Sequence, residues 1–497
     1  MTAPEEAISG NEPEAGCKTY YDAHVFQHPF FSHVLSQAQF PPVACDSHGV
    51  RMGFTDINSR RRTRTGAILA LALLPAFCFA EAPESEEWNA KFQATYVWQG
   101  KPSLRAAYSG PNSLIAAKEK SYSFTATAAL GVRPWTGGEF YLNPEAAQGV
   151  PLSGLTGLGG FTNGEMARSS GPTLTAYRAR MFLRQTWGMG GEQEGVESAA
   201  NQLAGSVDRR RLVLTAGNLS VLDIFDANAY SHDPRTQFLN WSVMTHGAYD
   251  YAADARGYSW GVALEWRHDD WAVRGGRFIQ PREPNQQQLD HDILRHYGDQ
   301  IELEHAHLLA GQPGRVRVLA FRNRAKMSRF QDALDAAALS GGVPDINNVR
   351  SGEKIKHGFG VNLEQALSGA LGAFARASWA DGRTETYAFT EIDRSVSGGL
   401  MLKGTSWGRA EDSVGAAFAR NGLSKVHRDY LAAGGLGFFV GDGALNYRPE
   451  AIVEIFYNLR VAKAAWLTLN WQHIDNPGYN ADRGPASVVS ARLHTEF

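Results

Sequence analysis

Arginines and glutamates carry most of the chemistry this chain could perform, and they recur at every second position. In the stretch TAYRARMFLRQTW, Arg178, Arg180 and Arg184 share one face of an extended segment. Tyr177, Ala179, Met181 and Leu183 share the other, and Phe182 interrupts the polar row. A row of guanidinium groups sets a positive field and offers forked donors to hydroxyl, carboxylate or phosphate oxygens. The same row suits a lattice of ion pairs that holds a wall together. Carboxylates with matching parity stand at Glu265, Glu450 and Glu454, and Arg267 shares the face of Glu265. Trp466 stands on the polar side of its segment near Thr468. It is the aromatic best placed to stack on a sugar ring, and it suits packing beneath an in-folded loop equally well. Planar polar groups beside aromatic faces are what sugars bind.

Other patterns point to less. In QIELEHAHLL, His305 and His307 share a face and Glu302 and Glu304 the opposite one. Two histidines at i, i+2 could hold a divalent metal with a third ligand, but polar structural histidines are the commoner reading on one strand. GTSWG (404–408) matches the spacing of a nucleophile elbow, which needs a strand, a sharp turn and a helix. Its surroundings read as strand, turn, strand, so no enzyme is expected. The glycine-rich GLTGLGGFTNGE and AAGGLGFFVGDG complete no phosphate-binding pattern, and no cofactor is expected. The net charge of −3 gives no reason to expect nucleic acid.

The elements that must position these residues have period two. The chain closes on SARLHTEF, where Ser490, Arg492, His494 and Glu496 alternate with Ala491, Leu493, Thr495 and Phe497. SYSFTATAALGVR, WNAKFQATY, YSWGVALEWRHDDWAV and AWLTLNW repeat the pattern. Strands of ~9 to 11 residues with aromatics at their ends are those of membrane-spanning barrels. Ala, Trp and Tyr fill many apolar places, where a soluble sandwich core takes larger branched residues. The high share of aromatics, 11%, and the 52 glycines suit many strands joined by tight turns. The expectation is an all-β transmembrane antiparallel barrel of about 16 strands, with short helices in its loops. The best helical segment is SRFQDALDAAALSGG (328–342), expected in a loop folded towards the lumen, and VESAANQLAG is the second.

Before the barrel lies the apolar run GAILALALLPAFCFA (66–80), preceded by Arg60, Arg61, Arg62 and Arg64. It is shorter than the ~20 residues of a spanning helix and carries the flanks of a secretory signal. The expected division is an upstream extension or mis-set start over 1–51, a signal peptide over 52–80 and the barrel over 81–497. Cys17, Cys45 and Cys78 all precede the expected cleavage site, so the mature chain needs no disulfide.

Three stretches, VDRRRLVLTAGNLSVLDIFDANAYSHDPRTQFLNW, LNYRPEAIVEIFYNL and HIDNPGYNADRGPASVVSARLHTEF, resemble the carbohydrate-selective porin family of Gram-negative outer membranes. The resemblance runs from about Trp88 to Phe497. It implies a sixteen-stranded barrel, a lumen narrowed by in-folded segments, and passive uptake of small sugars. Some relatives in this style are labelled manganese porins, so a divalent-cation channel is the alternative, although an arginine row counts against it. The expected location is the outer membrane. The expected partners are the small sugars carried, outer-membrane lipid and the barrel-assembly machinery, the last reached through the strand ending in Phe497. A monomer or a trimer fits equally.

Overall fold

The computed structural model describes residues 84–166, 171–388 and 390–497. The expected upstream extension, the expected signal peptide and the three cysteines lie outside the described residues. The strands are β1 (Trp88–Lys101), β2 (Glu119–Trp135), β3 (Gly138–Val150), β4 (Thr175–Gly188), β5 (Gln193–Val196) and β6 (Gly205–Asp208). They continue as β7 (Arg211–Leu219), β8 (Ser259–His268), β9 (Trp271–Ile279), β10 (Tyr297–Leu309), β11 (Gln312–Lys326) and β12 (Glu353–Ala366). The last six are β13 (Leu371–Ala380), β14 (Arg394–Lys403), β15 (Ser413–Gly422), β16 (Glu450–Ala462), β17 (Ala465–Asp475) and β18 (Ala486–Glu496). Sixteen of these close one antiparallel barrel, while β5 and β6 pair only with each other.

The faces are inverted relative to a water-soluble protein. Phe92, Tyr96, Leu130, Val132, Leu264, Leu469 and Leu493 are exposed, whereas Thr95, Gln99, Thr125, Thr468, Ser490 and Arg492 are buried. Alternation sorts the side chains as the sequence predicts, with lipid as the apolar medium outside. Closure is made by β1 against β18, with Gln93 opposite Glu496 and Gly100 opposite Val489. Phe497 extends that seam. Its N–H donates to Phe92 O at 2.9 Å and the Phe92 N–H donates back at 2.8 Å, with the two rings 5.3 Å apart.

One end of the barrel has tight turns. Ala310 and Gly311, joining β10 to β11, have φ of 51° and 75°, as a two-residue hairpin turn matched to strand twist requires. The other end carries long connections, which places it outside the cell and the short turns in the periplasm. Because a closed barrel leaves no unpaired edge, unboiled protein should migrate apart from boiled protein in detergent gels. Identical migration would contradict closure.

The helix expected in SRFQDALDAAALSGG spans Phe330–Ser340 and ends at Gly341, which adopts the left-handed cap at φ 70°. Its buried Phe330 packs 5.1 Å from Tyr430 of a second helix, Lys425–Ala432. The sequence reading overlooked this second helix, although Ser424 caps its start. VESAANQLAG is not helical. It runs from the end of β5 through a tight turn in which Ala199 and Gln202 bond to each other and Asn201 has φ 60°. Pairing with neighbouring backbone overrides the helical preference of its alanines.

Candidate functional site: the lumen

The segments 151–166 and 220–258 fold inward, and inward-facing side chains of the wall hold their backbone. Glu450 accepts the N–H groups of Gly159, Gly160 and Gly478 at 3.0, 2.8 and 2.9 Å. Glu454 accepts those of Leu239 and Asn240 at 2.6 and 2.9 Å. Glu302 and Glu364 take the N–H groups of Asp226 and Ala229. Arg376 donates to Asp226 Oδ1 at 2.9 Å, Val243 O at 3.0 Å and Ser231 O at 2.7 Å. Buried loop backbone must find partners where water cannot reach, and the wall supplies them. Phe225, Tyr249 and Tyr251 of the longer connection join the core that includes inward-facing Phe278 and Phe321.

This placement changes the reading of two residues. Glu450 and Glu454 have the inward parity expected, but both are 0% exposed beneath the loops. They anchor the loops and meet no solute.

The arginine row is also corrected. The β3–β4 register places Asn143 opposite Arg180 and Pro144 opposite Arg178, leaving Ala179 as an extra, fully buried residue. This bulge reverses parity on one side. Arg178 is exposed on the outward face with its guanidinium 5.2 Å from the centroid of the Trp260 ring. Tyr177 turns inward instead and donates its hydroxyl to Glu145.

Arg180 and Arg184 do face the lumen, each with a carboxylate. Arg180 grips Asp223 in a fork, with both bonds at 2.7 Å, and lies 5.2 Å from the Tyr258 ring. Arg184 pairs with Glu139 at 3.4 Å and lies 5.3 Å from the Tyr141 ring. The in-folded loop adds Arg235, bound to Glu165 at 2.8 Å, and Arg256, stacked 4.2 Å from Tyr177. Arg180, Arg235, Arg256, Tyr177, Tyr258 and Asp223 thus form one patch of guanidinium edges and phenol faces. Directly beside it, an extracellular cavity of about 640 Å³ is lined by Ala255, Arg282, Glu283, Asn285 and the run Gln286, Gln287 and Gln288.

Along the adjoining wall, two strands from β4, runs a row of alternating sign across β8 to β12. Arg267 and Arg274 flank Glu265 at 3.1 and 2.9 Å. Arg274 also meets Glu302 at 2.9 Å and Glu304 at 3.3 Å. Arg317 joins Glu304 at 2.6 Å to Glu364 at 3.1 Å, and Arg315 closes on Glu364 at 3.4 Å. Glu265 and Arg267 therefore sit where the sequence expects them, as members of a lattice. Trp466 is inward but lies at the periplasmic mouth, beside Arg460 and His494 and close to the turn at Lys463 and Ala464. His305 and His307 are on the outward face. His305 stacks 4.2 Å from Trp271, and His307 bonds Gln365 at 3.0 Å. Among the described residues, no group of three or more His, Cys, Asp or Glu is placed to hold a metal ion.

Sequence reasoning missed Asp226, Arg235, Arg256, Arg274 and Arg376. Three of these are charged residues in the long connection between β7 and β8, and the only signal was charge inside a largely apolar stretch.

A family model described as Carbohydrate-selective porin, OprB family, matches residues 116–497. The high-pH structure of Pseudomonas putida OprB superimposes with a TM-score of 0.63 at 18% identity, covering 83% of this chain and 94% of that one. The low-pH structure of the same protein gives 0.45 at 14%, with coverage of 83% and 93%. The outer membrane channel DcaP of Acinetobacter baumannii gives 0.46 at 9%, with coverage of 84% and 100%. The first of these similarities speaks for a shared barrel fold. No curated protein sequence matches the chain.

Proposed function

Since the chain belongs to the OprB family of carbohydrate-selective porins, we propose that small sugars cross its lumen along the patch formed by Arg180, Arg235, Arg256, Tyr177 and Tyr258. The protein is an outer-membrane porin through which small carbohydrates diffuse passively, and it is not an enzyme. The family match speaks for sugars and not for manganese.

The observation that supports this route is the fork between Arg180 and Asp223 beside the Tyr258 ring. The fork fixes the guanidinium plane, and a fixed donor loses little freedom when a hydroxyl docks. Pairing also cancels the charge that would otherwise sort solutes by sign, and neutral sugars need donors and ring faces instead. A solute leaving the glutamine-lined cavity reaches Arg256 and Tyr177 first, then Arg180 and Tyr258. Manganese would need hard oxygen ligands free of other partners, whereas Asp223 and Glu165 are held by arginines.

The test is conductance in planar bilayers. Sugars should reduce the current of wild-type channels, and millimolar manganese should not. Arg180→Ala removes the donor and leaves Asp223 unpaired, so sugar block should weaken by about tenfold while ion preference moves towards cations. If sugar block and ion preference are both unchanged in the variant, this route is wrong. Block by micromolar manganese with no effect of any sugar would overturn the sugar reading itself.

A further inference from the structure

The outward face of β9 to β12 carries a charged surface that passage of solutes does not use. In register across four strands stand Arg277, Asp299, Arg322 and His357. The next positions towards the extracellular end are Tyr297 and Arg324, and beyond them Lys326 stands opposite Glu353. Arg277 and Arg322 share Asp299 at 2.7 and 2.8 Å and both lie over the Tyr297 ring, at 3.9 and 5.5 Å. Arg324 and Arg295 share Glu353 at 3.1 and 2.7 Å. Five fixed cations therefore meet two carboxylates within this cluster. Asp290 and Asp381 border it, paired with His296 and His357.

Its height is informative. One step towards the periplasm on the same face come Ile301, Ala320 and Phe359, all exposed. The charges thus begin where the apolar band ends, on the side of the long loops. Guanidinium groups in the hydrocarbon itself would be costly, so this level belongs to headgroups. The arginines also remain accessible, with half of the Arg322 side chain and 63% of that of Arg295 exposed.

We propose that this rim binds the phosphate groups of an outer-leaflet lipid. Guanidinium forks match phosphate oxygens in pairs, and the surplus positive charge supplies the attraction. The acyl chains of the same molecule lie along Ile301 and Phe359, which a free anion could not use. A phosphorylated lipid is therefore the occupant that satisfies both parts of the surface.

The test uses the full-length folded barrel in phosphatidylcholine nanodiscs, with or without diphosphorylated hexa-acylated lipid A as the probe. Native mass spectrometry counts retained lipid, and the temperature at which the unboiled gel band is lost reports stabilisation. Wild-type protein should retain lipid A and unfold at a higher temperature with it. The triple variant R322Q/R324Q/K326Q should fold and conduct as wild type but bind lipid A roughly a hundredfold more weakly. R420Q, which removes an exposed arginine on β15, should bind as wild type. Should the triple variant fail to fold, Lys326→Gln alone should still weaken binding severalfold. Inorganic pyrophosphate in lipid-A-free discs should change nothing. Equal retention by the variants and wild type would overturn the proposal. So would an equal stabilisation by pyrophosphate, or capture of an acidic protein in place of lipid from native membranes.

Discussion

Replacing Arg376 by alanine is expected to open the lumen and weaken the protein together. Arg376 projects from β13 and is buried at 3% exposure. It is the wall residue that binds the in-folded loop at three separate points: Asp226, Ser231 and Val243. Thr245 Oγ1 and the His246 N–H also donate to Asp226, each at 2.8 Å. Burial by itself would raise the Asp226 carboxyl, but Arg376 and His246 beside it, with hydrogen bonds from Arg376 and Thr245, hold it well below the usual carboxylate range. A carboxyl lowered on folding stabilises the fold above its ordinary pKa of about 3.9, and that contribution fades as acid approaches the lowered value. At neutral pH the variant would therefore bury an uncompensated carboxylate, at a cost of about 3–5 kcal/mol. The cheapest relief is for the loop to leave the lumen. Single-channel conductance should rise severalfold and become noisy, and the unboiled gel band should be lost at a lower temperature. Wild-type conductance in Arg376→Ala would mean that the loop is held without it by Glu454, through the N–H groups of Leu239 and Asn240, and by Arg492, which donates to Pro234 O and Gln237 O. Asp226→Asn removes the charge and should destabilise less.

Deleting Phe497 should sharply reduce the amount of folded protein in the outer membrane. The residue closes the seam through two backbone bonds to Phe92 and a ring contact, in all about 2–4 kcal/mol. That is a small loss for a finished barrel whose every strand is paired. We propose that the barrel-assembly machinery reads the exposed ring at the end of β18, which would put the larger effect on assembly. Purified, refolded deletion protein should thus keep nearly wild-type heat resistance while the folded yield in cells falls severalfold and export to the periplasm is unchanged. Equal losses in both measurements would make the effect one of stability alone.

The strands were legible because lipid and lumen impose opposite demands on alternate side chains, and SARLHTEF displays that demand without interruption. Position on the wall was harder to read. The bulge at Ala179 leaves no mark in TAYRARMFLRQTW, since every residue there tolerates an extended conformation, yet it moves Arg178 out and Tyr177 in. Parity placed Glu450 and Glu454 correctly, but whether an inward residue is wet depends on the path of loops distant in sequence. Asp226 and Arg376 are separated by 150 residues, and neither carries a local pattern that announces the other. The alanines of VESAANQLAG suggested a helix because local propensity was the only information there, and tertiary pairing decided otherwise.

The row across β8 to β12 sets arginines and glutamates in equal number, Arg267, Arg274, Arg315 and Arg317 against Glu265, Glu302, Glu304 and Glu364. Neighbours of opposite sign stand 2.6 to 3.8 Å apart, far inside the screening length of ~10 Å at moderate salt. Dissolved ions therefore find little net field to neutralise. A pore that drew in its cargo by fixed charge would deliver less as salinity rose. Along this wall, by contrast, the passage of a neutral sugar should change little with the ionic strength of the surroundings.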